Sequence, residues 1–326
     1  MRRFTRLLCC TLALFASAAS LAQTPASWAP GKTIRILSPF PPGGTSDTIA
    51  RAMATHLTNT LGQSVVVDNK PGGSTLIAVN ELRRSAPDGT TLLYTVTGTT
   101  SQLPHLYAKP PFDPFKDMSP LGVVAFNKLI LVAKANAPFD TVAGLVDYAK
   151  KNPGKLNYAT FGNGSFPHIV SEALARQAGI SMTHIPYKGG ADAARAVMAG
   201  EADILFDASV TAIANAAGGR VKLLAVVGPA RVPAAANVPT MAEAGFPGFA
   251  EPGLEQLLAP PGLAPELAER MNAALMQAAR APEVRAILDR GGFEPVFSSP
   301  QEHARIMRKS YDYWGGVISR TGIQLE

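Results

Sequence analysis

Apolar positions in this chain follow two periods. Short runs rich in valine, isoleucine and leucine, at residues 33–38, 64–69, 90–96, 122–126 and 129–134, are bounded by glycine or proline, as buried strands are. Between them, Ile49, Met53, Leu57 and Leu61 recur every three to four positions, as one face of a helix does. Strand 33–38, a helix from about 45, strand 64–69, helix 76–85 and strand 90–96 therefore alternate, which predicts a layered α/β fold with a parallel sheet. Residues 103–120 hold five prolines and read as irregular. A second unit follows. Asp140-Thr141 caps a helix to 151, strand 157–161 leads to a helix carrying Ile169, Ala173, Leu174 and Ala178, and strands are expected at 182–187, 204–207 and 221–227. A short capped helix at 240–245, a strand at 254–259, helices at 265–280 and 282–290, a strand at 294–298 and a final helix started by Ser299 or Pro300 complete the reading. Ile306, Tyr313, Trp314 and Val317 are expected to face the core from that helix.

The pattern predicts two α/β lobes with the second inserted into the first. Residues 31–126 and 249–326 form lobe 1, and 127–248 form lobe 2. The loops at 40–47, 70–74 and 97–102 follow strand ends and should gather on one edge, where such sheets bind ligands. In the first loop, Pro41 and Pro42 forbid regular structure, Gly43 and Gly44 permit close backbone approach, and Thr45, Ser46 and Asp47 are good helix-cap types. A strand feeding a helix in this way leaves unsatisfied N–H groups at a positive dipole end. The same order of strand, glycine turn, hydroxyl and helix recurs at Phe161, Gly162, Gly164, Ser165 and His168.

Composition places these lobes in a compartment. Arg2, Arg3 and Arg6 precede an apolar run over 7–21 with small residues before Ala22, so residues 1–22 read as a secretory signal peptide. The run is too short to cross a membrane. Cys9 and Cys10, the two cysteines of the chain, fall inside it, so the mature protein is expected to be stabilised by core burial without disulfides. Three of the six net positive charges leave with the peptide, and +3 with no basic run gives no case for nucleic acid.

Candidate chemistry narrows further. His56, His105, His168, His184 and His303 show no metal-ligand spacing, so neither metal nor cofactor is expected. The first loop lacks the lysine of a triphosphate-binding loop and the third glycine of a dinucleotide fingerprint. Ser165 with His168 allows a nucleophile and base, but the surrounding residues are not a nucleophile elbow. What remains is anion recognition by two helix N-termini, to which a carboxylate is suited. Asp47 reads either as a helix cap or as an acceptor for a ligand amine or hydroxyl. Lys188 reads as a carboxylate partner or a solvated lysine, and Asp207 as a loop cap or a cleft acceptor.

The motifs Phe40-Pro41-Pro42-Gly43-Gly44-Thr45-Ser46-Asp47 with Ala50-Arg51, Asn69-Lys70-Pro71-Gly72-Gly73, Pro87-Asp88-Gly89, Pro186-Tyr187-Lys188-Gly189, Val238-Pro239-Thr240 with Glu243-Ala244-Gly245, and Leu258-Ala259-Pro260-Pro261-Gly262 together resemble the Bug family. These are periplasmic receptors of tripartite tricarboxylate transporters. The resemblance covers nearly all of the chain from about Lys32 onward. It implies a two-lobe flytrap architecture, a small organic acid such as a dicarboxylate, tricarboxylate, aromatic acid or acidic amino acid as ligand, and membrane permease subunits as partners; a monomeric receptor is expected. The resemblance places one ligand carboxylate between residues 42–47 and 162–168 and leaves the other end to more variable residues; Phe40, Phe161, Lys188, Asp207, Thr97 and Thr99 are expected as further lining. The chain departs from the family in having no tryptophan near Leu254 and a hydroxyl-rich loop at 97–102, which points to a polar far end of the ligand. Two other functions compete: an exported hydrolase using Ser165 and His168, and a ligand sensor for a signalling partner.

Overall fold

The computed structural model describes residues 28–325; the expected signal peptide at residues 1–22 lies outside them. The chain opens with β1 (Ile34–Ser38), α1 (Thr45–Leu61), β2 (Val65–Asn69), α2 (Leu76–Arg84) and β3 (Thr91–Val96). These three strands are parallel, with β1 between the other two. Their carboxyl ends, and so the loops that follow, lie on one edge. β4 (Ser119–Asn127) completes this first pass.

β5 (Leu129–Lys134) begins two residues later in a different sheet. A single residue, the buried Lys128, carries the chain across and pairs with Glu294 at 3.1 Å. The second sheet is built by α3 (Val142–Lys151), β6 (Asn157–Thr160), α4 (Phe166–Ala178), β7 (Thr183–Pro186), α5 (Gly190–Ala199), β8 (Ile204–Ala208), α6 (Ser209–Ala217) and β9 (Val221–Val227). Its order is β7-β6-β8-β5-β9. The chain then returns through β10 (Gly253–Ala259), α7 (Pro265–Arg280), α8 (Pro282–Arg290), β11 (Glu294–Pro295) and α9 (Pro300–Thr321). The first sheet reads β11-β4-β10-β3-β1-β2. The second lobe is thus inserted into the first.

Neither sheet is wholly parallel, although the alternation of strands and helices predicts it. β10 runs antiparallel between β3 and β4, and β5 antiparallel between β8 and β9. The reason is topological: both are crossover strands that enter a sheet from the other lobe rather than through a local helix. Residues 240–245 form turns instead of a helix. Thr240 and Glu243 make the reciprocal bonds of a capping box, but Gly245 ends the segment before a helix can propagate. The strand expected at 294–298 shortens to two residues. The helix α6 has no counterpart in the periodicity, because Ser209 to Ala217 carries small and apolar residues on all sides.

One buried cluster joins the lobes. It runs from Leu37 and Leu82 through Leu106 and Trp314 to Leu131, Tyr158 and Leu174. The last helix supplies the bridge. Its Trp314 packs edge-on against Phe166 at 5.1 Å, and Arg176 reaches the Thr321 carbonyl. Each such side chain withdrawn from water contributes on the order of 1.5–3 kcal/mol. Core burial therefore sets where the second lobe's glycine turn lies relative to the first lobe.

Candidate functional site

The first βα turn is held by a side-chain network rather than by a helix cap. α1 starts at Thr45, its cap is Gly44, and no side chain satisfies its first turn. Asp47 turns away from that role. Its Oδ2 accepts from the Gly43 N–H and the Arg51 Nε–H, both at 2.9 Å, and its Oδ1 accepts from Asn69 Nδ2 at 2.8 Å. Asn69 also donates to the Phe40 carbonyl at 3.0 Å. Burial pushes the Asp47 carboxyl up, but the bonds from Arg51, Asn69 and Gly43 outweigh it and hold the pKa below its usual value. Asp47 therefore builds the turn: it fixes Gly43 at a φ of 89°, which glycine alone adopts cheaply. The N–H groups of Thr45, Ser46 and Asp47 are left without an acceptor among the described residues. Pro42, Gly43, Gly44 and Thr45 are exposed.

The second turn repeats the logic. Ser165 occupies the cap position of α4, yet its hydroxyl makes no cap bond and is buried without a partner. A cap oxygen accepts from the second or third helical N–H, and the second residue here is Pro167, which has none. The Phe166 and His168 N–H groups have no acceptor among the described residues. His168 Nδ1 accepts from the Gly164 N–H at 3.1 Å, so the ring carries its proton on Nε2, and burial lowers its pKa. Ser165 and His168 are not hydrogen-bonded to each other. Gly164 lies against Leu106 and Leu325, where an added Cβ would stand 2.8 Å from Leu325.

Sequence spacing gives no hint that His168 meets His184. Their rings stack at 4.1 Å, and Tyr158 stacks on His184 at 5.0 Å. Burial, then the neighbouring His168, drops the His184 pKa to about 4, so both rings are neutral at pH 7. Tyr158 donates to Glu172 behind them.

Of the remaining expected residues, Phe161 packs on Gly190, and Lys188 is exposed with no ion-pair partner among the described residues. Asp207 is buried at the end of β8, accepts from the Ala208 N–H at 2.8 Å, and is pushed up by burial to about 7. Thr97 and Thr99 are buried, Thr97 at the cap and Thr99 within a turn of π-helix over Gly98–Gln102. Thr97 accepts from the Leu254 N–H, and Thr99 bonds Thr95 at 2.6 Å. Thr100 accepts from Gln256, which in turn accepts from His303 Nε2 at 2.8 Å. The hydroxyls of that loop are engaged inside the first lobe. Among the described residues no group of three or more His, Cys, Asp or Glu could hold a metal ion, and no helix is long and apolar enough to cross a membrane.

Sequence reasoning missed Glu255. It sits in β10, is 2% exposed, and reaches Ser46 in the first turn of α1. The signal was the adjacent polar pair Glu255-Gln256 inside a fully buried strand.

The chain is similar to known proteins along most of its length. A UPF0065 protein of Bordetella pertussis, strain Tohama I, is 32% identical over 96% of both chains. The solved structure of Rhodopseudomonas palustris Rpa4515 with adipate superposes with a TM-score of 0.82 at 29% identity, covering 90% of this chain and 99% of that one. MatC from the same organism, with bound malate, gives 0.80 at 29% identity over 89% and 99%. A family model described as the tripartite tricarboxylate transporter family receptor matches residues 49–323. With nearly the whole described chain matched in sequence and in fold, the protein belongs to the receptor family of tripartite tricarboxylate transporters.

Proposed function

We propose that this chain is a non-catalytic, monomeric periplasmic receptor that closes its two lobes on a small organic acid and delivers it to permease subunits of the transporter. One observation carries the reading. The first turns of α1 and α4, on different lobes, both begin at cap residues that make no side-chain bond. Their free N–H groups and helix dipoles suit a carboxylate, which accepts several hydrogen bonds and needs no full countercharge. Binding of adipate and malate by similar proteins supports the ligand class. A periplasmic location fits the family and the arginine-led apolar segment at residues 1–22.

The hydrolase alternative lacks its central contact, since Ser165 makes no bond to His168 and His168 Nδ1 is taken by Gly164. A sensor role is compatible with the same binding event. The test is a thermal-shift screen over organic acids, with mass spectrometry of the recovered ligand. A ligand at 100 times its Kd raises stability by about 2.7 kcal/mol and is recovered unchanged. Recovery of a hydrolysed product, lost in Ser165→Ala, would overturn the reading.

A further inference from the structure

The first glycine turn is framed by a carboxylate: Asp47 accepts from the Gly43 N–H, Arg51 and Asn69. The second turn hangs from two imidazoles instead. Its Gly162 and Gly164 have φ of 117° and 70°. The Gly164 N–H donates to His168 Nδ1 at 3.1 Å. The Gly162 N–H donates to Thr160 Oγ1 at 3.3 Å, and that hydroxyl bonds His184 Nε2 at 2.7 Å. The two rings stack at 4.1 Å with 9° between their planes.

A backbone N–H can only donate, so His168 Nδ1 must be a bare acceptor. A proton placed there sets a donor against a donor. It also puts a cation in the first turn of α4, at the positive end of the helix dipole and against the face of a second imidazole. Among the described residues, the titratable groups facing the rings are Tyr158 of β6, which stacks on His184, and Glu172 of α4, which accepts from the Tyr158 hydroxyl. β8 sets Ile204 beside Tyr158, and the first lobe meets Gly164 with Leu106 and Leu325, none of them charged.

We propose that His168, backed by His184, is a positioning residue of the binding site: only as a neutral acceptor does it hold the second glycine turn in the shape that receives a carboxylate, so that acid loosens the turn and releases the ligand. The inference rests on the carboxylate-receptor reading and adds a regulation to it. The first turn keeps its frame meanwhile, because its partners hold the Asp47 carboxyl below its usual range. Acid therefore disengages one lobe from the ligand before the other.

Two experiments test it. The first needs no ligand: imidazole nitrogen and amide spectra recorded from pH 8 to 4.5. The Gly164 amide and the His168 ring move with one midpoint, and Nδ1 is the nitrogen without a proton at pH 8. A Gly164 amide that ignores His168 protonation, or a proton on Nδ1 at pH 8, would overturn the inference and leave the receptor reading standing. The second is calorimetry with malate and with adipate at pH 7.5 and 4.5, with melting curves to show that each form is folded. His168→Leu weakens binding at pH 7.5 by roughly five- to tenfold, as for one lost hydrogen bond. His168→Asn, whose side-chain carbonyl can stand in for Nδ1 and does not titrate, recovers most of that loss. Acid also protonates the ligands, an effect common to all forms; beyond it, the wild type loses several-fold more affinity than His168→Asn. Equal losses in the two, or wild-type binding that tightens in acid relative to His168→Asn, as a charged ring touching the carboxylate would give, would overturn the inference. Absence of binding by both acids at pH 7.5 would overturn the receptor reading for these ligands and the acid release with it, whatever the Gly164 amide does.

Discussion

Glu255 and Ser46 stand 209 residues apart in sequence and share a hydrogen bond of 3.3 Å. The contact ties the strand that returns from the second lobe to the first turn of the first long helix. A fully buried carboxyl without a cation is costly when charged, and burial pushes the Glu255 pKa up to about 7. The sign of the consequence is fixed. Below about pH 4 both folded and unfolded chains hold this proton. Between about 4.5 and 7 the unfolded chain releases it first, so stability falls with rising pH by about 3 kcal/mol in all. Asp207, raised to about 7 by burial as well, acts in the same direction. Melting temperatures across that window should decline for the wild type, and Glu255→Gln should decline less and melt above the wild type at pH 8. Equal slopes would show that Glu255 is ionised at no cost.

Asp47 behaves oppositely. Its pKa is lowered by its three partners, net of burial, so its contribution is present above the unfolded pKa and lost as pH falls through the folded one. Asp47→Ala removes the acceptor of Gly43, Arg51 and Asn69 at once. A cost on the order of 2–3 kcal/mol follows from stranded donors, read by urea denaturation at pH 7. The same variant at pH 3 should lie closer to the wild type.

The two glycines of the first turn should respond differently. Gly44 has a φ of −73°, and a Cβ there meets only the Pro41 carbonyl at 4.0 Å. Gly43 sits at +89°. Gly44→Val is therefore expected to keep the melting temperature and abolish carboxylate binding, because its side chain stands before the N–H groups. Gly43→Val is expected to cost on the order of 1–2 kcal/mol of backbone strain. Calorimetry with each folded variant distinguishes them.

The fold was legible in the periodicity because most strands are wholly buried and their helices have one apolar face. The glycine turns were legible as punctuation. What could not be read is what depends on strand order and register. Glu255 meets Ser46 only because β10 inserts antiparallel between β3 and β4. His184 meets His168 only because β7 pairs with β6 in a register that sets His184 opposite Tyr158. The choice between cap and ligand acceptor for Asp47 needed the position of Asn69, which lies on the next strand. Local propensity also misled at Ser165: Pro167 removes one of the two N–H groups a cap can bind, and the hydroxyl leaves the other, on His168, unbonded as well.

The C-terminal tail is expected to stiffen the second turn. Leu325 donates its N–H to the Leu106 carbonyl at 2.7 Å and packs its methyls on Gly164. Deleting residues 323–326 should cost about 1–2 kcal/mol from lost apolar burial and weaken ligand binding several-fold, seen as a lower melting temperature and a faster ligand off-rate. Unaltered binding in the truncated chain would show that Gly164 holds its shape alone.

The central claim is that one carboxylate is gripped by backbone N–H groups from both lobes. Amide chemical shifts recorded during titration with a binding organic acid test it directly. Large downfield proton shifts are expected at Thr45 and Ser46 on α1 and at Phe166 and His168 on α4, all saturating with one dissociation constant. Saturable binding that leaves those four amides unmoved would contradict it.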